Sequence, residues 1–236
     1  MQTTFDFPTP LAVKYTPRCV ADFLCERPRR IMSAFVRNPR PDAFYLLGES
    51  GLGKTEMALA MAREIPAELH HLPSRECDLA AVQAIVKQCH YMPRMAENWE
   101  PCRLHLVLVD EAHQMSPAAR DAWLSKLDGT ARPPNTVFVF TGNDKPNDCH
   151  GAFMSRVKLI EFSSYGLQRE IAKTLERIWA IETNGKLEAP NFVRLAKDAN
   201  NNIRDAINAL ELELMAAEPI ADAAMPVVSD AKQLVW

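Results

Sequence analysis

A chain of 236 residues, 47% hydrophobic and 24% charged, can bury a full core in one large domain or a large one plus a small one, and its composition is that of a globular protein. Its net charge of −3 excludes a monomer that coats nucleic acid by charge alone, and no apolar run approaches a membrane span, so no membrane partner is expected. MQTTFDFPTP at the amino terminus has neither the basic start nor the apolar centre of a signal peptide. The six cysteines form no C-x-x-C pair, which reads as reduced thiols in a cytoplasmic protein.

Pro8, Pro10 and Pro17 predict an extended start over residues 1–17. A helix is expected from Arg27 to Val36, stopped by Asn38-Pro-Arg-Pro41. The short apolar run Asp42 to Leu47 reads as a buried strand, and Glu56 to Ile65 has helical spacing without a breaker. Between them lies Gly48-Glu-Ser-Gly-Leu-Gly-Lys-Thr55, a glycine-rich turn from strand to helix that fits the phosphate-loop pattern G-x-x-x-x-G-K-[ST]. Its glycines let several amide N–H groups converge on one anion at the positive end of the following helix. Glu49, Ser50, Gly51, Leu52, Gly53, Lys54 and Thr55 are therefore the candidate phosphate contacts. Within that pattern Lys54 bridges the β- and γ-phosphates of ATP, and Thr55 places its hydroxyl on Mg²⁺.

Glu68 to Leu72 reads as a second strand, Ser74 as the cap of a helix carrying Leu79, Val82, Ile85, Val86 and Cys89 on one face, and residues 93–101 as a loop. The strongest strand is Leu104 to Asp110. It delivers Asp110 and Glu111 at its carboxyl end, where open α/β sheets place ligands. Asp110 suits Mg²⁺, and Glu111 suits orienting and deprotonating an attacking water. A helix from Ala118 to Leu127, begun near Ser116-Pro117, precedes a strand from Asn135 to Thr141 that ends at Gly142-Asn143. At that tip Asn143 reads either as a turn residue or as a hydrogen-bond partner for the γ-phosphate or its water. A last strand from Val157 to Phe162 follows Ser155-Arg156. Three helical segments then close the pattern, near Leu167 to Ile181, Ala189 to Ala199 and Ile203 to Ala217. The domain reading is an α/β domain over 1–162, a helical domain over 163–217 and a tail over 218–236.

KYTP at Lys14 to Pro17, GESGLGKT, LVLVDEAHQMSPAARDAWLSKLD, FTGN, Ser155-Arg-Val157 and NNIRDAINALE together resemble the ordered motifs of AAA+ ATPases, most closely the small subunits of sliding-clamp loaders such as replication factor C. The resemblance implies an AAA+ P-loop NTPase fold, a three-layer αβα sandwich on a parallel five-stranded sheet followed by a small three-helix lid. It implies an ATPase with Asn143 as first sensor, Arg204 as second sensor from the lid, and Arg156 as the arginine finger offered to a neighbouring subunit. Ala12, Tyr15 and Thr16 would lie beside the adenine, with Thr16 standing where those loaders usually have arginine. Leu72-Pro73-Ser74 replaces the family's Asn-Ala-Ser, which removes the polar residue that restrains the catalytic glutamate until DNA binds.

The implied partners are like AAA+ subunits in a ring or spiral, DNA, and a sliding clamp or other client protein. Arg75, Lys87 and Arg120 are the candidate DNA contacts. Loaders also carry a helical collar domain beyond the lid, and this sequence stops before one, so assembly is expected through ATP-bridged contacts, DNA or a collar-bearing partner. A mobile-element or phage ATPase that recruits a recombinase or helicase on DNA remains open, as does a nucleotide-bound subunit that does not hydrolyse. Bacterial loaders hold zinc in this interval with tightly clustered ligands. Here His70, His71, Cys77, Cys89, His90, Cys102 and His105 are scattered, and the spacing argues against zinc.

Overall fold

The computed structural model describes residues 8–94, 102–144 and 151–217. In chain order the elements are α1 (Leu11–Lys14), α2 (Glu26–Arg37), β1 (Asp42–Leu47), α3 (Lys54–Glu64), β2 (Ala67–Pro73), α4 (Leu79–Gln88), β3 (Leu104–Asp110), α5 (Pro117–Leu127), β4 (Thr136–Gly142), α6 (Gly151–Met154), β5 (Lys158–Glu161), α7 (Gln168–Thr183), α8 (Phe192–Asp198) and α9 (Ile203–Ala217). The five strands form one sheet in the order β2-β3-β4-β1-β5, every pair parallel.

The central strands are continuous apolar runs because helices cover both faces of the sheet, as parallel pairing through crossover helices requires. Their alternation divides the side chains between two cores. Phe44, Leu46, Leu106, Leu108, Val137 and Val139 join Met57, Met61 and the residues of α7 to α9 on one side. Tyr45, Val107, Val109, Phe138 and Phe140 join Val82, Val86 and Trp123 on the other. Trp123 is fully buried, edge-on to both Phe138 and Phe140, so truncating it would cost about 3–5 kcal/mol. This is the expected αβα sandwich, followed by a packed three-helix unit in which Leu175, Ile178, Trp179, Ile207 and Leu210 are core.

Several local expectations change. The prolines of the first segment do not keep it extended, because Pro10 sits at the amino cap, where its missing N–H is not needed, and Leu11–Lys14 makes one helical turn. Asp78, not Ser74, caps α4, its carboxylate accepting from the Ala81 N–H at 2.7 Å, while 74–76 form a short 3-10 turn. Helix α8 begins at Phe192, capped by Asn191, three residues later than the apolar pattern suggests. Ser116 and Pro117 start α5 as expected. Most of the 93–101 loop and the 218–236 tail lie outside the described residues.

Candidate active site

The strand order brings the carboxyl ends of β1, β4 and β3 side by side, so the loop after β1 faces the loop after β4 and the acidic end of β3. Ser50, Gly51, Gly53, Lys54, Thr55, Asp110, Glu111, Thr141, Asn143 and Arg204 line one cavity there. Gly51 and Gly53 have φ of +78° and +84°, angles that L side chains rarely adopt. The amide-rich turn can therefore curl onto the amino end of α3, whose unpaired N–H groups and dipole favour an anion.

Lys54 is buried, and its Nζ donates to the carbonyls of Gly48 at 2.8 Å and Glu49 at 2.7 Å and to Asn143 Oδ1 at 3.1 Å. Burial pushes its ammonium below the usual lysine range, Asp110 and Glu111 pull it back up, and nearby Arg204 lowers it. Thr55 Oγ1 donates to Asp110 Oδ1 at 2.7 Å, joining the first turn of α3 to the end of β3. These are clustered hard oxygen donors of the kind Mg²⁺ takes. The Thr141 hydroxyl also donates to Asp110 Oδ1 and accepts the Glu111 backbone N–H at 3.0 Å. Glu111 sits at φ +53°, a strained angle for a side-chain-bearing residue, with its carboxylate exposed at the cavity. The Asn143 N–H donates to His113 Nδ1 at 3.4 Å.

From the helical unit, Arg204 reaches the same cavity. Asn202 holds it there: its Nδ2 donates to the Ser50 carbonyl at 3.2 Å, while its Oδ1 accepts from the backbone N–H groups of Arg204 at 3.1 Å and Asp205 at 3.3 Å, capping α9. A Cβ at Gly51 would stand 2.0 Å from that Oδ1, so a side chain there would push Asn202 off the phosphate loop.

Other expected residues lie elsewhere. Leu52 is core, and Glu49 faces solvent, contributing its carbonyl to Lys54. Ala12, Tyr15 and Thr16 are not in the cavity wall. They stand at α1, where the Tyr15 phenol donates to Glu182 of α7 and the Thr16 hydroxyl donates to the Ala12 carbonyl at 2.7 Å. Arg156 is outside the cavity too. One guanidinium nitrogen donates to the Ala152 carbonyl at 2.7 Å and another pairs with Asp128 at 3.2 Å, while its buried Nε has no partner among the described residues. Arg75 lies in the 3-10 turn rather than in α4; Lys87 is in the last turn of α4 and Arg120 in α5.

Sequence reasoning missed Thr141 and Asn202. The first stands inside the FTGN motif, and its inward position follows from strand alternation. The second is an Asn two residues before the arginine, a standard amino-cap signal. It read His71 only among the scattered zinc-type residues, whereas its Nε2 lies 3.9 Å from Asp110 Oδ2, so β2 places a polar group beside the acidic pair.

The model of the ATPase family associated with various cellular activities (AAA) matches residues 44–165. Among curated relatives, the replication factor C large subunit of Thermococcus kodakarensis is 28% identical over 213 residues, 86% of this chain and 40% of that protein. The replication-associated recombination protein A of Bacillus subtilis is 23% identical over 90% of this chain and 50% of its own length. The replication factor C small subunit 2 of Pyrobaculum arsenaticum is 26% identical over 89% of this chain and 64% of its own length. The chain thus spans from two fifths to under two thirds of the length of these relatives. A solved structure of the Thermotoga maritima RuvB Holliday junction branch migration motor superposes with a TM-score of 0.62 at 20% identity, covering 87% of this chain and 68% of that one, a likeness of fold. No helix of the described residues is long and apolar enough to cross a membrane.

Proposed function

The chain belongs to the ATPase family associated with various cellular activities (AAA), and from that membership we propose that it is an ATP-hydrolysing, clamp-loader-like subunit. It works on DNA within a ring or spiral of like subunits and uses ATP binding and hydrolysis to load a sliding clamp or another client protein. The observation that carries this reading is the convergence of Lys54, Thr55, Asp110, Glu111, Asn143 and Arg204 on one cavity at the carboxyl ends of the strands.

Each group has work suited to its chemistry. Lys54 exchanges its backbone carbonyl partners for phosphate oxygens, a stronger, charge-assisted pairing. Mg²⁺ would supply positive charge at the terminal phosphates, and Thr55 and Asp110 are the residues to hold it. Glu111 accepts the proton of the attacking water; Asn143, released by Lys54, is free to orient that water or the γ-phosphate. Arg204 answers the charge on the γ-phosphate from α9, so loss of that phosphate loosens the helical unit from the loop. Arg156, turned away from its own cavity, is the finger offered to the next subunit, where a guanidinium neutralises charge that grows in the transition state. Tyr15, with Ala12 and Thr16 beside it, would form the adenine side of the site.

Two measurements test this: ATP turnover with and without primed DNA, and the mass of the particle with a non-hydrolysable ATP analogue. Turnover by a strictly monomeric species would remove the shared-site reading. A second reading, an ATPase that assembles on DNA and recruits a recombinase or helicase, is favoured by the similarity to the replication-associated recombination protein over 90% of the chain. Capture of a purified sliding clamp against capture of a recombinase or helicase separates the two.

A further inference from the structure

At the other end of the sheet, the fold gathers side chains that the sequence leaves scattered. His70 is on β2, Cys89 is the carboxyl cap of α4 and His105 is the second residue of β3. In the β2–β3 register Glu68 stands opposite His105 and His70 opposite Val107. Glu68 and His70 therefore leave one face of the edge strand, beside His105. One ligand atom from each of His70, Cys89 and His105 lies within 4.8 Å of the other two, with Cys89 and His105 fully buried.

Their hydrogen bonds orient the donors. His105 Nε2 lies 3.0 Å from the Tyr91 carbonyl, which only accepts, so that nitrogen carries the ring proton and Nδ1 presents its lone pair. His70 Nε2 is 3.0 Å from that Nδ1, and Glu68 Oε2 is 3.5 Å from it. A ring whose outer N–H is held by a carbonyl is the usual arrangement of a metal-ligating histidine. A neutral His70–His105 hydrogen bond alone would account for two of these groups. The Cys89 thiol beside them is hydrogen-bonded to Thr136, and Glu68 Oε2 accepts the Arg94 N–H at 2.7 Å. Neither contact accounts for that carboxylate facing the lone pair of His105 Nδ1 at 3.5 Å.

We propose that His70, Cys89 and His105 form a structural site for a zinc-type divalent cation, with the Glu68 carboxylate as fourth ligand. Two imidazoles, a thiolate and a carboxylate match zinc in softness and number. Tetrahedral bonds of about 2.0–2.3 Å set donor atoms about 3.3–3.7 Å apart, so His70, Cys89 and His105 close with side-chain shifts of about 1 Å, while Glu68, outside that cluster, must release the Arg94 N–H to join it. Burial pushes the Cys89 thiol up to about 12 and His70 down, so without a cation the thiol is protonated and the imidazole neutral. On binding, the metal–sulfur bond forms as the S–H proton leaves to solvent, and the His70 proton moves from Nε2 to Nδ1.

The cation would clip the edge strand β2, the end of α4 and the start of β3 together, closing the connection between α4 and β3 on itself. His105 and Asp110 are five residues apart on one strand, about 16 Å at roughly 3.3 Å per residue, so the site is separate from the phosphate cavity and independent of its assignment.

The test is a titration of the metal-free, untagged full chain with Co²⁺ alone. The expected result is a thiolate-to-cobalt absorption band in the near ultraviolet with tetrahedral visible bands, saturating at one equivalent and displaced by Zn²⁺. Cys89→Ser should abolish the near-ultraviolet band, His70→Gln should weaken Co²⁺ binding about tenfold or more, and Cys102→Ser should leave the band in place. Absence of the band in the wild-type chain under excess Co²⁺ overturns the proposal whatever the variants do. Persistence of the band in Cys89→Ser overturns it equally.

Discussion

The backbone N–H of Glu111 donates to the hydroxyl of Thr141 at 3.0 Å, across from the end of β3 to the end of β4. The same hydroxyl donates to Asp110, so one buried side chain fixes the angle at which both carboxylates leave the strand. Glu111 keeps a left-handed backbone only because its surroundings hold it there. Thr141→Val removes the acceptor and the donor while conserving shape. It should cost about 1–3 kcal/mol of stability and lower ATP turnover by about a hundredfold through misplacement of Glu111. Thr141→Ser should restore most of both. Paired thermal melts and steady-state turnover check this, and a Val variant with unchanged turnover removes Thr141 from the positioning of the carboxylate.

Glu111→Gln keeps the shape of the site and deletes the proposed base. The variant should bind ATP like the wild type and lose about 10²–10⁴-fold in turnover. Nucleotide affinity and phosphate release are the measurements; wild-type turnover no faster than the variant, with DNA present, would favour a nucleotide-bound structural subunit.

Arg156→Ala should leave nucleotide affinity nearly unchanged and reduce turnover about a thousandfold, the effect of removing a finger. In the proposed shared site, loss of Arg156 and loss of Glu111 fall on opposite sides of the seam, so mixing Arg156→Ala with Glu111→Gln should restore turnover at interfaces that unite an intact glutamate with an intact arginine. No recovery on mixing, with particles formed, places both groups in one subunit. On the proposed role Arg156 leaves Asp128 to reach a neighbour, so Asp128→Asn should lower the subunit concentration needed for half-maximal activity.

Asn202→Ala removes the cap of α9 and its hold on the phosphate loop together. A loss of about 1 kcal/mol in stability is expected, with nucleotide dissociation several-fold faster because Arg204 is no longer aimed. Stopped-flow release of a fluorescent ATP analogue reads this directly.

Hydrogen bonds from Lys14 first and Tyr15 second hold the Glu182 carboxyl below the usual glutamate range. The folded value lies under the unfolded one, so the stability from this tie is complete above the unfolded value and is lost as pH falls through the folded one. Glu182→Gln should lower the neutral plateau of a plot of melting temperature against pH by a small amount, since the pair is partly exposed, and flatten the acid side so that the two curves meet at low pH. An acid limb identical to wild type would show that the tie does not contribute.

The sheet and the phosphate loop were legible because their signals are local: a short apolar run, a glycine-rich turn and a helix in sequence. Asp42 to Leu47, Leu104 to Asp110 and Ile203 to Ala217 match the observed elements at both ends. What escaped depends on what packs beside a residue. Ser74 and Asp78 are both good caps, and only the turn between them decides which is used. Thr141 and His71 gain meaning from the neighbouring strand, which the chain does not announce. The gathering of His70, Cys89 and His105 is created by the β2–β3 register, and no spacing rule describes donors 19 and 16 residues apart.

The amino-terminal segment is anchored on both sides of the joint. The Leu11 N–H donates to Glu211 on α9 at 3.1 Å and Tyr15 to Glu182 on α7, while the Val20 N–H donates to Glu64 on α3 beneath the sheet. Residues 16–19, stiffened by Pro17, are thus a strap across the joint between the helical unit and the sheet, and any swing of that unit must bend or stretch it. Inserting glycines there would slacken the strap and uncouple the two bodies without touching a single group that meets the nucleotide.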